Sequence, residues 1–303
     1  MIFGAHCSGG IKKAIDKAVE IDADAVQLFV QSPRAWRFPD HDPADIAAFR
    51  ERRAEAKLGA VLVHALYLVN LASPKDDFYE KSVETMRRTV ETSSAIGADG
   101  VVLHVGSHLG TGLDAAMERV VPALAQVLEL ASETTWVLME NTAGAGGTIG
   151  HSVEELEILL ECLDRHPRLG ICLDSCHLYA SGYDVTDPAA LDLLLQQIDS
   201  ACGLDRVRAL HVNDSKTPLG SNRDRHDNIL EGVMGEKLGV FLAHPALQGL
   251  PAVLEVPGPD GHGPDAEEMA KLRGLHARAT RPASPGRRRG RSARRPEARR
   301  TRG

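Results

Sequence analysis

Histidine and carboxylate residues recur where short apolar segments of this sequence end. They occur in VLVHALY, VVLHVGSH, VLMEN, ICLDSCH, ALHVNDS and VLEVPG, and the loop GSNRDRHDN adds two more. The nine residues are His64, His104, Glu140, Asp174, His177, His211, Asp224, His226 and Glu255. Burying so many imidazoles and carboxylates together without cations would be costly. The mixture suits Zn²⁺, with Mn²⁺ or Fe²⁺ as alternatives, and nine ligands would serve two or three ions if one carboxylate bridges.

Two local spacings add detail to this prediction. Asp224 and His226 are two residues apart, which places both on one side of an extended segment. Asp174 and His177 are three apart and can converge only if the chain breaks into a turn between them. Cys176 lies between them, and we interpret it as a structural thiol.

The elements that must position these side chains alternate along the chain. Eight segments rich in Val, Ile and Leu are typical of buried parallel strands. They span residues 2–8, 25–31, 60–67, 100–107, 136–141, 169–177, 207–215 and 251–258. Amphipathic, helix-like segments separate them, with a capping box at Ser152 and an N-cap followed by proline at Asp187. Eight such units predict a (β/α)8 barrel, the alternative being an open doubly wound sheet. Barrels carry their active sites at the carboxyl ends of the strands, where the nine residues stand.

Composition and charge set the limits of this domain. The chain has 303 residues, 43% of them hydrophobic and 25% charged, and a net charge of −7. Residues 278–303 hold eleven arginines and one acid, so residues 1–277 carry about −17. An acidic body argues against DNA binding through bulk charge. We therefore expect a barrel domain over 1–277 and a disordered basic tail over 278–303. Five cysteines and no export or transmembrane signal favour reduced thiols and the cytoplasm.

Five segments resemble the endonuclease IV family of apurinic/apyrimidinic endonucleases. They are HALYLVNLAS (64–73), LHVGSH (103–108), MENTAGAGG (139–147), LDSCHLYASGYD (173–184) and HVNDSKTPLGSNRDRHDNI (211–229). The resemblance covers residues 2 to about 277. It implies a (β/α)8 barrel with three zinc ions that cleaves duplex DNA on the 5′ side of abasic sites and removes blocked 3′ ends. It also implies a monomer and a metal-bound hydroxide as the nucleophile.

The resemblance also assigns roles to individual residues. The first zinc would be held by His64, His104 and Glu140, the second by Asp174, His211 and Glu255 with Glu140 bridging, and the third by His177, Asp224 and His226. Glu140 would position the hydroxide. Arg34, Tyr67 and Leu68 match the positions at which the family pushes side chains into the duplex.

Two other functions fit parts of the pattern. A sugar isomerase or epimerase of the xylose isomerase-like kind would share the barrel and the ligands at the strand ends, but it would not need Asp224-Arg225-His226. A non-enzymatic DNA-binding scaffold would not need an intact ligand set. The sequence departs from the family pattern at Ser8-Gly9-Gly10, where the loop is short, and at Leu230, where the family usually has glycine.

Overall fold

Eight parallel strands close into a barrel in the computed structural model, which describes residues 1–281. They are β1 (Ile2–His6), β2 (Ala25–Leu28), β3 (Ala60–His64), β4 (Gly100–Leu103), β5 (Trp136–Glu140), β6 (Leu169–Asp174), β7 (Val207–His211) and β8 (Pro251–Leu254). Each strand pairs with the next along the chain, and β1 pairs with β8, with Ala5 opposite Leu254. The (β/α)8 prediction is therefore confirmed.

Helices follow the strands and pack around the barrel. They are α1 (Gly10–Glu20), α2 (Pro43–Ala56), α3 (Asp76–Ile96), α4 (Leu113–Leu128), α5 (Val153–Cys162), α6 (Ser175–Ser181), α7 (Pro188–Ala201), α8 (Gly239–Ala243) and α9 (Ala266–Ala279). The predicted N-cap at Asp187 is present, and so is the Ser152 half of the predicted capping box, but the Glu155 carboxylate accepts the N–H groups of Gly150 and His151 and not that of Ser152. Ser152 Oγ accepts from the N–H of Glu155, and the Asp187 carboxylate accepts from two N–H groups of the first turn of α7. These bonds satisfy donors that a helix start leaves free.

The barrel interior is a packed apolar layer. It contains Leu62, Val102, Leu138, Cys172, Ala209 and Val253, each at most 1% exposed. A much larger apolar cluster fills the space between strands and helices. Because side chains fill the interior, polar groups can gather only at its ends.

The strands end one to four residues earlier than the apolar segments predicted. The remaining apolar residues, such as Ala65, Val105 and Val212, are buried in the loops above the strands. These loops must turn away from the barrel axis while still covering the core, so hydrophobicity continues where strand pairing stops.

The last helix ends at Ala279, close to the predicted end of the barrel domain. Arg278 lies in that helix, and its guanidinium pairs with Glu236 at 3.1 Å. The rest of the predicted basic tail, from residue 282 onward, lies outside the described residues. Among residues 1–281, no helix combines the length and apolar character that crossing a bilayer requires.

Candidate metal centre

The carboxyl ends of six strands bring six of the nine residues to one rim. His64, Glu140, Asp174 and His211 are the last residues of β3, β5, β6 and β7. His104 and Glu255 directly follow β4 and β8. The chain order of the barrel therefore places side chains from residues 64 to 255 around one axis.

The other three residues reach the rim from short elements above β6 and β7. Asp174 caps α6, so the chain turns at once and His177 lies in the first turn of that helix. This is the turn that the three-residue spacing required. His226 lies in a two-residue strand that pairs antiparallel with Asp214–Ser215, and Asp224 lies in the loop before it.

A first group consists of His64, His104 and Glu140. Nε2 of each histidine lies 3.4 Å from Oε2 of Glu140. His64 and Glu140 are 2% and 0% exposed, whereas His104 is 32% exposed. The group therefore has a buried floor and one side open to solvent.

A second group consists of Glu140, Asp174, His211 and Glu255, whose ligand atoms lie within 4.8 Å of one another. Nδ1 of His211 is 2.9 Å from Oε1 of Glu140 and 3.1 Å from Oε2 of Glu255. Glu140 belongs to both groups and turns a different oxygen toward each. That is the geometry a bridging carboxylate needs.

A third group forms at the open side of the centre. Nε2 of His177 lies 3.3 Å from Oδ2 of Asp224, and Nε2 of His226 lies 3.2 Å from Oδ1 of the same carboxylate. The two Nε2 atoms are 3.4 Å apart. The ligand atoms of Asp174, His177 and His226 lie within 4.8 Å of one another, and so do those of Cys176, Asp224 and His226. Burial raises the pKa of the Cys176 thiol to about 12, so it stays protonated at neutral pH.

The buried polar atoms of the first group fit a cation. Among the described residues, Nε2 of His64 and Oε2 of Glu140 are buried without a hydrogen-bond partner, although they face each other. Buried polar groups without partners are rare in proteins, and each is costly. A shared cation would satisfy both atoms.

His64 and His211 each present one particular nitrogen to the carboxylates, because the other nitrogen is bonded elsewhere. His177 is shared differently: its Nδ1 lies near both the Asn141 carbonyl and, at 3.2 Å, Oε1 of Glu140, while its Nε2 faces Asp224. Nδ1 of His64 bonds to the carbonyl of Ala65 at 2.7 Å, Nδ1 of His177 to the carbonyl of Asn141 at 3.0 Å, and Nε2 of His211 to the side-chain oxygen of Gln27 at 2.8 Å. A protein oxygen that fixes one nitrogen leaves the other to carry a proton or bind an ion.

The charges of the centre are strongly coupled. Burial alone would raise the pKa of Glu140, but the surrounding histidines hold it well below its ordinary value. Burial alone would lower the pKa of His177 and His211. Asp174, Asp224 and Glu140 instead raise the pKa of His177 well above 6.5, and Cys172, Glu255 and Glu140 raise that of His211 well above 6.5. Despite burial, His177 and His226 lower the pKa of Asp224 to about 2. The site attracts positive charge, whether as protons or as ions.

The predicted DNA contacts lie beside this centre or on an adjoining loop. Tyr67 and Leu68 are 59% and 41% exposed, and both line a cavity of about 490 Å³ that His104, His177 and Asp224 also line. Tyr67 packs edge-on against Phe29, with 5.2 Å between the ring centroids. Arg34 is exposed on the loop after β2 and does not line that cavity. The structure brings Tyr67 and Leu68 together with the cluster and leaves Arg34 apart from it.

Sequence reasoning missed several polar residues of the centre. Gln27 in β2 and His6 at the end of β1 contact Glu255 and each other. Asn213 donates from Nδ2 to Oδ2 of Asp174 at 2.6 Å and accepts the N–H of Glu255. We selected histidines and carboxylates at the ends of apolar segments in the sequence. His6 ends β1 and could have been found in the same way. Gln27 lies inside a strand and gave no such signal.

One buried carboxylate holds the loop that follows His226. Asp214 accepts the N–H groups of Ser215, Gly232, Met234 and Gly235 at 2.8–3.2 Å. Leu230, where the family usually has glycine, adopts a φ of 72°. Glycine takes this left-handed conformation most readily, so leucine adopts it at some cost in strain.

Comparisons with known proteins agree with this architecture. Residues 15–275 match the model of a family described as xylose isomerase-like TIM barrels. A protein from Halothermothrix orenii named "Probable endonuclease 4" is 37% identical over 276 residues, covering 90% of this chain and 99% of that protein. The crystal structure of endonuclease IV from Thermus thermophilus superposes with a TM-score of 0.81 at 35% identity, covering 92% of this chain and all of that one.

A second class of barrel shares the fold. A D-tagatose 3-epimerase-like protein superposes with a TM-score of 0.68 at 18% identity, covering 92% of this chain and 97% of that one. At that identity the likeness concerns the barrel and not its chemistry.

Proposed function

The chain belongs to the endonuclease IV family and is a hydrolase of the deoxyribonuclease IV type, and on that premise we propose that it is a zinc-dependent repair enzyme acting at abasic sites in duplex DNA. It would hydrolyse the phosphodiester on the 5′ side of the abasic nucleotide, leaving a 3′-hydroxyl and a 5′-phosphate. Removal of blocked 3′ ends would be the same bond cleavage at a strand break.

The observation that carries the proposal is the shared carboxylate of Glu140 between two histidine groups. We assign one ion to His64, His104 and Glu140, and a second to Glu140, Asp174, His211 and Glu255. We assign a third ion to His177, Asp224 and His226. All nine ligands come from one chain, which supports our proposal that the enzyme acts as a monomer of the domain 1–277.

When bound, the zinc ions would supply an activated water and neutralise charge on the phosphate and on the leaving oxygen. The protein itself holds the ligands in place and leaves one side of the centre open to substrate. Its buried carboxylates and the histidines bonded to fixed oxygens need little rearrangement to accept ions, which is the preorganisation that electrostatic catalysis requires. Asp224, with 53% of its side chain exposed, places the third group nearest the solvent and the substrate.

The cavity beside the centre supports the choice of substrate. Its volume of about 490 Å³ lies in the range of small-ligand sites, and exposed Tyr67 and Leu68 stand on its wall. Chemistry on one nucleotide of a duplex requires that nucleotide to leave the base stack. Unstacking costs the least free energy at a nucleotide that has no base to pair. Apolar side chains at the mouth can occupy the space that it leaves.

The test is metal analysis combined with cleavage of a duplex that carries one abasic-site analogue. We expect three zinc ions per chain and a single cut 5′ to the analogue, with an intact duplex left uncut. Glu140→Gln is the test variant and Glu161→Gln, on the solvent face of α5, is its matched control. Cleavage supported by Mg²⁺ alone, or ketose interconversion in place of cleavage, would refute the proposal.

A further inference from the structure

Gln27 is a fully buried polar side chain in the middle of the barrel mouth. It lies in β2, is 0% exposed, and stands opposite His6 of β1 in the strand register. Its amide makes three hydrogen bonds: Nε2 donates to Oε1 of Glu255 at 2.6 Å and to Nδ1 of His6 at 3.1 Å, and Oε1 faces Nε2 of His211 at 2.8 Å. Two of these three partners are in the second ligand group.

The contact with Glu255 fixes which way the amide points. An ionised carboxylate can only accept hydrogen bonds, so the amide atom 2.6 Å from Glu255 must be the nitrogen. The oxygen therefore faces His211, and Nε2 of that ring must carry a proton to donate to it. Nδ1 of His211 is left toward Glu140 and Glu255. It is the nitrogen of this ring that can exchange a proton for an ion.

The same amide restrains Glu255. Oε1 of Glu255 accepts the hydrogen bond from Gln27, whereas Oε2 of Glu255 faces Nδ1 of His211. One side chain therefore selects the ligating nitrogen of the histidine and the ligating oxygen of the carboxylate. Partners of this kind set ligand orientation and typically change metal affinity by about 10–100-fold when removed.

We propose that Gln27 is the positioning residue of the second ion site, acting through His211 and Glu255 without touching substrate; this rests on the proposed metal centre. The first group, His64 and His104 with Glu140, has no contact with Gln27 among the hydrogen bonds of the described residues. Loss of the amide should therefore weaken one ion out of three.

The test is a zinc titration of metal-free protein against a chromophoric chelator, comparing wild type with Gln27→Met. Methionine keeps the volume and removes all three hydrogen bonds. We expect one equivalent to bind about 10–100-fold more weakly and the other two to keep their wild-type affinity. The matched control is Gln31→Met. Gln31 is 8% exposed and follows the same strand, and among the described residues its side chain donates only to the carbonyl of Ala35. This variant should retain three wild-type affinities.

Urea unfolding of each metal-free protein shows whether the variants fold. If Gln27→Met does not fold, Gln27→Asn replaces it, because an amide one methylene shorter cannot span from His211 to Glu255. Three unchanged affinities in a folded variant, or equal weakening of all three equivalents, would overturn the positioning role. Failure of the wild-type protein to bind zinc would instead refute the proposed metal centre, so the two failures are distinguishable.

Discussion

Oδ1 of Asp174 accepts the backbone N–H of His177 at 2.7 Å, so one carboxylate both ends β6 and caps α6. Its other oxygen accepts from Asn213 at 2.6 Å and lies 4.0 Å from Nδ1 of His211. Helix capping and the proposed metal binding are therefore combined in a single side chain, and a variant can separate them.

Asp174→Ala should lower the free energy of unfolding of the metal-free protein by at least about 1 kcal/mol, the usual value of an N-cap, and should also lose zinc. Asp187→Ala is the control, because Asp187 caps α7 and, within residues 1–281, forms no hydrogen bond with any of the nine proposed ligands. Both should be destabilised in urea, but only Asp174→Ala should bind fewer than three zinc ions. Full zinc content in Asp174→Ala would contradict its role as a ligand.

Glu140→Gln should reduce the cleavage rate on abasic duplex by at least about 10³-fold, comparable with removing a major electrostatic contributor. Glutamine keeps the shape but loses the negative charge that faces His64, His104 and His211. Single-turnover rates on fully metallated protein measure the effect, with Glu161→Gln as the control. Near-normal turnover would show that the carboxylate does not bridge.

Tyr67→Ala should weaken the preference for abasic over intact duplex and leave zinc content unchanged. The exposed ring is proposed to fill a distorted stack, whose unstacking costs about a few kcal/mol per step. Competition binding between the two duplexes measures the preference. Leu193→Ala removes an equally exposed side chain, 62% exposed on α7, and should change nothing. Loss of zinc or of folding in Tyr67→Ala would instead show that the ring is structural.

The stability of the metal-free protein should fall as pH rises above about 6.5. The pKa of His177 and that of His211 lie well above 6.5 in the folded state, because the carboxylates around His177, and Cys172 with the carboxylates around His211, outweigh burial. Their contribution is therefore fully present below 6.5 and is lost as pH rises through the folded pKa. Zinc-loaded protein should not follow this trend, because ions replace those protons. Thermal unfolding from about pH 6 to about pH 9, a range that brackets the ordinary histidine pKa, tests both samples, and a metal-free midpoint that rises over this range would contradict the assignment.

Truncation after Arg281 should leave the single-turnover rate unchanged and flatten the salt dependence of binding to undamaged DNA. The removed segment carries nine arginines and one acid. Each phosphate that they neutralise contributes a slope of about −0.9 in log affinity against log salt. The cut must follow Arg278, which pairs with Glu236 in the folded domain. Identical slopes for both proteins would show that these arginines make no phosphate contacts.

The sequence by itself determined the barrel and the set of candidate metal-ligating residue types at its rim. Eight apolar segments separated by amphipathic helices leave few ways to bury their surface, and a polar residue after a buried strand must lie at its end. His64, His104, Glu140 and Glu255 could be found for that reason. The spacing of Asp174 and His177 likewise required a turn, and α6 supplies it.

Only the tertiary structure decided how these groups face one another. Which oxygen of Glu140 meets which histidine depends on side chains brought together from strands far apart in the chain. Gln27 shows the limit most clearly, because an amide inside a strand resembles any other polar position until closure of the barrel sets it between His211 and Glu255. Local sequence determines the type and placement of an element, whereas hydrogen bonds between residues 184 and 228 positions apart exist only after folding.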